Sequence, residues 1–121
     1  MKSCVCVGLG GAVGSVFRYL IGLIPLNDAG GFPIKTLLIN ILGSFLIGLI
    51  ATLSGKHADI SPDMILLLKT GICGGFTTFS TFALESSTLI QNGKITSAVL
   101  YMAASILFSL AAVSAAQYIV H

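Results

Sequence analysis

The sequence predicts an all-α membrane protein with four transmembrane helices, the third of which is broken. The 121 residues are 55% hydrophobic and only 8% charged, with a mean hydropathy of +1.02. Soluble domains carry roughly 25% charged residues, so a soluble fold is excluded. Four apolar segments each exceed the roughly 20 residues that a membrane helix needs. The third segment is the longest and has an uncharged stretch rich in Gly, Thr and Phe in its middle.

Short polar segments divide the chain into spans at about residues 3–24, 33–54, 62–90 and 95–120. The third span begins at Ser61-Pro62-Asp63, a typical helix start with proline in the first turn. Strands of a membrane β-barrel would be roughly ten residues long with alternating polarity, and no such segments occur. We therefore predict one domain, residues 1–121, that crosses the cell membrane several times and uses the lipid bilayer as its solvent.

The six basic residues are divided evenly between the two sides of the predicted bundle. One side has Lys2, Lys56 and Lys69, and the other has Arg18, Lys35 and Lys94. The positive-inside rule then gives no preferred orientation. This balance is compatible with insertion both ways and with an antiparallel homodimer whose two-fold axis lies in the membrane plane. No basic cluster exists that would follow a phosphate backbone, so nucleic acid is not an expected partner.

The first span carries small residues and one charge at four-residue spacing. Gly10, Gly14, Arg18 and Gly22 share one helix stripe. Small residues at this spacing allow another helix to approach closely. A charge within a span is costly and usually faces protein or water. Arg18 therefore either attracts an anion or caps backbone carbonyls, and the sequence leaves both open.

The second and fourth spans each present a polar face. In the second span, Thr36, Asn40, Gly43 and Ser44 lie at i, i+4, i+7 and i+8. The Asn40 amide needs a hydrogen-bond partner, which another helix or a pore supplies. In the fourth span, three hydroxyls recur at i, i+4 and i+8, as expected of a wet seam: Tyr101, Ser105 and Ser109.

The third span contains the most informative stretch, GICGGFTTFSTF at residues 71–82. We expect the pair Gly74-Gly75 to interrupt the helix, and freed backbone groups in a membrane commonly form ion or substrate sites. Phe79 and Phe82 follow at i, i+3, with Ser80 and Thr81 between them and Glu85 one turn beyond Thr81. The positive edges of the two rings would favour a small anion, although ordinary packing explains the spacing better when it is taken alone.

Taken together, the polar groups are mostly neutral donors, which suit a small hydrated anion. No nucleophile–base set or metal-ligand cluster predicts an enzyme, since both histidines lie at loop or terminal positions. A small multidrug-type antiporter is the main alternative, but it would need a carboxylate in the first span, where this chain has Arg18. A non-transporting assembly subunit would not need the broken helix or the hydroxyl faces.

Three motifs resemble those of the CrcB/Fluc family of fluoride channels. They are GGAVGSVFRY at 10–19, TLLINILGSF at 36–45, and GICGGFTTFSTF at 71–82. The resemblance extends over the whole chain, including its length and four-span layout. It implies an antiparallel, dual-topology homodimer with two fluoride pores and a role in lowering cytoplasmic fluoride by passive export.

The same resemblance implies roles for individual residues. Phe79 and Phe82 would form an aromatic box, with Asn40 between the pores and Ser80 and Thr81 as a polar track. Tyr101 and Ser109 would line the pore from the fourth helix, on the face that also carries Ser105. The backbone carbonyls of Gly74 and Thr77 would hold a structural sodium ion (Na+) at the dimer interface. Apart from the resemblance, Arg18, Thr36 and Glu85 are candidate supporting residues, and Glu85 is either a carboxylate linked to conduction or a residue of the pore mouth.

Overall fold

The computed structural model describes residues 1–26 and 31–120, and every regular element in these two ranges is helical. Helix α1 (Lys2–Gly22), α2 (Ile34–Lys56) and α6 (Ile95–Val120) are continuous. The third span, Pro62–Gln91, consists of α3 (Pro62–Ile65), the π-helix π1 (Leu66–Cys73), α4 (Gly74–Phe76) and α5 (Phe79–Gln91). Four helical segments are thus long and apolar enough to cross a membrane. The all-α class and the broken third span are both confirmed.

The helices pack as two pairs, α1 with the third span and α2 with α6, and the third span also contacts the second pair. Helix α1 lies along π1 and α4, while α2 lies along α6, and α5 leans against α6. Because consecutive spans alternate in direction, the beginnings of α1 and the third span lie at one end of the bundle. There Lys2 pairs with Asp63 at 3.6 Å, and the Ser3 hydroxyl donates to Asp63 Oδ1 at 3.0 Å. At the opposite end, Lys35 Nζ donates to the Gly22 carbonyl at 3.0 Å.

The contact between α1 and the third span is a glycine seam formed by Gly10, Gly14, Gly71 and Gly75. A Cβ atom on Gly14 would overlap the Ile72 carbonyl oxygen, and one on Gly75 would lie 2.6 Å from the Gly11 oxygen. Backbones therefore touch backbones, as the small-residue spacing of the first span predicted. Gly22 does not take part, since a Cβ atom there would meet nothing within 4 Å.

The helix break lies at Thr77 and Thr78, and the expected interruption at Gly74-Gly75 is wrong. Gly74 has helical angles (φ −64°, ψ −37°), whereas Thr77 (ψ 158°) and Thr78 (φ −148°, ψ 119°) are extended. The position of the break is set by contacts with other helices. Gly75 is needed for close approach to α1, and the neighbouring Asn40 offers the backbone of Thr78 an alternative partner to the helix.

Helix α5 restarts directly after the break because Thr78 caps it. The Thr78 Oγ1 atom accepts a hydrogen bond from the Thr81 N–H at 3.2 Å, the usual role of threonine at a helix N-terminus. Further along, α5 packs on a buried cluster of Leu37, Leu89, Ala98 and Tyr101. This cluster fixes the position of α5 relative to α2 and α6, and with it the position of the rings that follow the break.

Candidate functional site

Two cavities meet at the break in the third span. The first has a volume of about 370 Å³ and lies between α2, the break and α6. Its lining contains no charged side chain and consists of Asn40, Gly43, Ser44, Ile47, Cys73, Gly74, Thr77, Thr78, Phe79, Phe82, Ser105, Ile106 and Ser109. The second, about 260 Å³, is lined by Arg18, Gly22, Pro33, Lys35, Thr36, Ile39, Thr78, Thr81 and Glu85. Thr78 borders both cavities and lies between them.

Asn40 holds the backbone of the break through both ends of its amide. Its Oδ1 accepts from the Thr78 N–H at 2.9 Å, and its Nδ2 donates to the Thr78 carbonyl at 3.1 Å. These two bonds use one of the two Nδ2 hydrogens. Asn40 therefore joins two helices and also borders the first cavity. The two partners that the sequence allowed for its amide, another helix and a pore, are thus compatible.

At the break, the carbonyls of Gly74 and Thr77 lose their usual helical partners, and the carbonyl of Gly75 accepts a side-chain donor. In a continuous helix the Thr78 N–H would bond Gly74 O, but it bonds Asn40 instead. The Thr81 N–H would bond Thr77 O, but it bonds the Thr78 hydroxyl. Gly75 O accepts from Arg18 Nε at 3.1 Å. Arg18 thus caps a carbonyl of the break, as the second of its two interpretations predicted, and it also borders the second cavity.

A row of aromatic rings runs from the first cavity into the bundle. The Phe79 and Phe82 rings lie 5.6 Å apart, Phe82 and Tyr101 lie 5.3 Å apart, and Tyr101 meets Phe32 edge to face at 5.6 Å. Phe79 stands at the outer end of the row and is 79% exposed. A phenylalanine that borders a cavity and makes few contacts within its own chain is not held there by ordinary core packing.

Tyr101 links the row to the second cavity. Its ring is fully buried, and its hydroxyl donates to Glu85 Oε1 at 3.0 Å. Glu85 in turn borders the second cavity, together with the buried Thr36. Tyr101 itself lies outside the lining of both cavities, because its ring is packed between Phe32 and Phe82. The expected continuous seam of three hydroxyls on α6 is therefore reduced to Ser105 and Ser109.

Ser105 is the most unusual polar group of the first cavity. Its side chain is buried, and its Oγ atom has no hydrogen-bond partner in the part of the chain that the structure describes. Buried hydroxyls are normally paired, either with protein atoms or with ordered water. Ser105 borders the cavity, but its Oγ atom exposes less than 1 Å², so the hydroxyl reaches an occupant of that space only when the side chain rotates.

The structure therefore brings most of the predicted residues together in two groups. Around the first cavity lie Asn40, Gly74, Thr77, Phe79, Phe82, Ser105 and Ser109. Around the second lie Arg18, Thr36, Thr81 and Glu85. Ser80 is exposed and borders neither cavity.

Among the residues of the two linings that the sequence did not identify, Thr78 and Lys35 make hydrogen bonds that shape the site. Thr78 is the threonine that Asn40 holds, and its place directly before a helical segment was a usable capping signal. Lys35 borders the second cavity only because the ends of α1 and α2 come together in the fold, and nothing in its local sequence indicates this.

Comparison with known proteins gives a consistent set of relatives. The family model described as "CrcB-like protein, Camphor Resistance (CrcB)" matches residues 5–117. A protein of Agrobacterium fabrum named "Fluoride-specific ion channel FluC" is 47% identical over 116 residues, which cover 95% of this chain and 93% of that one. Proteins with the same name from Chlorobaculum tepidum and Ruminiclostridium cellulolyticum are 48% and 49% identical, covering 92% and 93% of this chain and 88% of each relative.

Proposed function

Since the chain belongs to the CrcB-like protein family, we infer that it is a fluoride-selective ion channel of the cell membrane that lets fluoride leave the cell passively. The structural observation that carries this function is the first cavity. It is uncharged, it is bordered by two phenylalanine rings, and it contains a buried serine hydroxyl without a protein partner. Hydroxyl and amide donors with aromatic edges can replace the water shell of a small anion, one hydrogen bond at a time.

Passive flow is sufficient for export. Fluoride enters cells as neutral HF from acidic surroundings and dissociates at the cytoplasmic pH. A membrane potential that is negative inside then drives the anion outward through any selective pore. The chain therefore needs neither a nucleotide site nor a pair of proton-coupling groups to lower cytoplasmic fluoride.

The proposed path runs along the donors of the first cavity. Phe79 and Phe82 would turn their positive ring edges to the anion, while Ser105 and Ser109 would donate hydroxyl hydrogens from α6. Asn40 would offer its remaining amide hydrogen at the break. Thr81 borders the adjoining cavity, and Tyr101 and Glu85 form a hydrogen bond beside it. Ser80 would join the path only through a surface that this single chain leaves exposed.

We further propose that the channel is an antiparallel homodimer with dual topology. The face that carries the break supports this, because Gly74 is exposed there and its carbonyl has lost its helical partner. Lipid cannot hydrogen-bond such a group, whereas a second copy of the chain can bury it. The even division of the six basic residues removes the usual signal for a single orientation.

Accessibility labelling tests the dual topology. A single cysteine at His57, in a variant without Cys4, Cys6 and Cys73, should be labelled from both sides of the membrane in cells that express the protein. Two lysines added to the segment between α2 and the third span should then bias the labelling to one side. Labelling of the first variant from one side only would contradict dual topology.

We also propose that the dimer holds a structural sodium ion through the carbonyls of Gly74 and Thr77. Both oxygens have lost their helical partners, and backbone oxygens at broken membrane helices suit sodium. No group of three or more His, Cys, Asp or Glu side chains in the described ranges offers another metal site. When bound, the ion would supply a fixed positive charge that joins the two breaks.

Diffraction data at the two-fold axis test this proposal. A small cation with short contacts to four carbonyl oxygens, two from each copy, is the expected result. A water-like or empty position in well-ordered density would contradict the sodium ion, although it would leave the fluoride channel itself standing.

Fluoride efflux from proteoliposomes tests the channel function itself. Vesicles loaded with potassium fluoride should release fluoride when valinomycin carries the accompanying potassium, and vesicles loaded with potassium chloride should not release chloride. Absence of fluoride release, or equal release of both anions, would contradict the assignment. The multidrug-type antiporter has no support: the charged residues of α1 are Lys2 and Arg18, and the relatives reported above are named as channels.

A further inference from the structure

The second cavity differs from the first in its charge. Its lining includes two cationic side chains, Arg18 and Lys35, and one carboxylic acid, Glu85. We propose that Lys35 is the residue that concentrates fluoride at this mouth of the pathway, where the ends of α1 and α2 meet. The proposal rests on the fluoride-channel function and adds to it a residue that determines how readily the anion enters.

Lys35 is held in place at the mouth by one hydrogen bond. Its Nζ atom donates to the Gly22 carbonyl at the end of α1, at 3.0 Å. A lysine ammonium has three donors, so this bond leaves two for water or for an anion in the cavity. The bond also restricts a side chain that would otherwise move freely, so its charge stays beside the cavity.

The other charged groups of the cavity are engaged elsewhere. Arg18 Nε is bonded to the Gly75 carbonyl at the break, and Glu85 Oε1 accepts the Tyr101 hydroxyl. Within residues 1–26 and 31–120, neither Lys35 nor Glu85 takes part in an ion pair. By formal charge, the cavity is therefore positive by one unit, and removal of the Lys35 charge would make it neutral.

The loss of one unit of charge from the cavity sets the expected decrease in fluoride flux. A unit charge about 6 Å from an anion in a water-filled mouth raises the local anion concentration roughly threefold. The screening length is about 30 Å at 0.01 M salt and about 3 Å at 1 M, so the effect should disappear at high ionic strength. A residue that acts only by joining two helices would show no such dependence on salt.

Lys35→Gln separates the two roles, because glutamine keeps a donor for the Gly22 carbonyl and loses the charge. At subsaturating fluoride and about 0.01 M of an impermeant salt, we expect the variant to conduct about threefold less fluoride than the wild type. At about 1 M salt the two should be equal. Lys35→Arg should behave as the wild type at both salt concentrations.

Lys94→Gln is the matched control. Lys94 lies at the same end of the bundle, directly before α6, and its Nζ is near Gly31 but outside the cavity lining. This variant loses the same charge from the same side, but from outside the cavity, so at low salt it should reduce fluoride flux clearly less than Lys35→Gln does. A reduction equal to that of Lys35→Gln would overturn the local role of Lys35.

A chemical version of the test restores the charge after folding. Lys35→Cys, in a variant with Cys4, Cys6 and Cys73 replaced, is reconstituted and then treated with a cationic or an anionic methanethiosulfonate. The cationic reagent should raise fluoride flux at low salt, and the anionic reagent should lower it further.

The outcomes distinguish this proposal from the channel function. If the wild type conducts fluoride but Lys35→Gln matches it at low salt, or loses flux equally at both salt concentrations, the role of Lys35 is overturned and the channel stands. The same holds if both reagents act alike. If the wild type conducts no fluoride, the channel function fails and this role fails with it.

Discussion

The third span has two sides: one is tightly packed against α1, and the other lines a cavity together with α2 and α6. On the side of α1, the glycine seam brings backbone against backbone without space for a Cβ atom. On the side of α2 and α6, the same span opens into a cavity of about 370 Å³. Glycine closes the first side, whereas threonine and a neighbouring asparagine open the second by taking over the backbone bonds of the helix.

We infer from this difference that the α1 side stabilises the fold and that the cavity side carries the ions. Changes in the seam should unfold the protein before they alter its selectivity. Changes in the first cavity should alter ion flow in a protein that still folds.

Gly14→Ala should have the largest effect. A Cβ atom there overlaps the Ile72 carbonyl oxygen and lies 2.8 Å from Phe76 N, so two backbones would have to separate. We expect unfolding to become easier by about 3 kcal/mol or more, with loss of monodisperse protein. The free energy of unfolding in a detergent titration measures this. Gly22→Ala, in the same helix and with nothing within 4 Å, is the control and should be neutral or slightly stabilising.

Asn40→Asp should have the next largest effect. The substituted side chain keeps an acceptor for the Thr78 N–H but replaces the donor to the Thr78 carbonyl with a carboxylate oxygen, which repels both that carbonyl and a passing anion. We expect fluoride efflux to fall at least about tenfold and the free energy of unfolding to fall by about 1–3 kcal/mol. Ser54→Ala, in the same helix and outside both cavities, is the control and should leave both quantities nearly unchanged. Normal efflux through Asn40→Asp would show that this amide does not organise the pathway.

Ser105→Ala and Ser86→Ala should have the smallest and most discriminating effects. Both serines are buried, but Ser86 Oγ donates to the Phe82 carbonyl at 2.8 Å while Ser105 Oγ has no partner in the described ranges. Removal of the unpaired hydroxyl should leave stability unchanged or raise it by about 1 kcal/mol, yet lower fluoride efflux several-fold. Ser86→Ala should leave efflux unchanged. A loss of stability without a loss of efflux in Ser105→Ala would assign that hydroxyl to packing.

The sequence predicted the four spans well because the bilayer restricts the options so strongly. A chain with 8% charged residues and four long apolar segments has few folds available to it. Helical spacing also placed Asn40, Phe79 and Ser105 on faces that meet in the structure, since i, i+4 periodicity does not depend on tertiary contacts.

The features that the sequence left undetermined all depend on contacts between distant segments. The break lies at Thr77-Thr78 and not at Gly74-Gly75, because Asn40 accepts the hydrogen bond of the Thr78 N–H. Asn40 and Thr78 are 38 residues apart, so local sequence does not reveal this contact. Tyr101 is covered by rings from two other elements, which its spacing on α6 does not reveal. Lys35 reaches the second cavity through the meeting of two helix ends.

Fluoride efflux through Phe79→Ile tests whether the first cavity is the path of the anion. Phe79 is 79% exposed and borders the first cavity, so isoleucine keeps an apolar side chain there, costs little stability and removes the positive ring edge. Phe108→Ile, on the exposed surface of α6 and outside both cavities, is the control. We predict that Phe79→Ile stays monodisperse and loses fluoride efflux by about tenfold or more, a change of about 1.4 kcal/mol or more in the barrier, while Phe108→Ile conducts normally. Wild-type fluoride efflux through a well-folded Phe79→Ile protein would contradict the assignment of this cavity as the anion path.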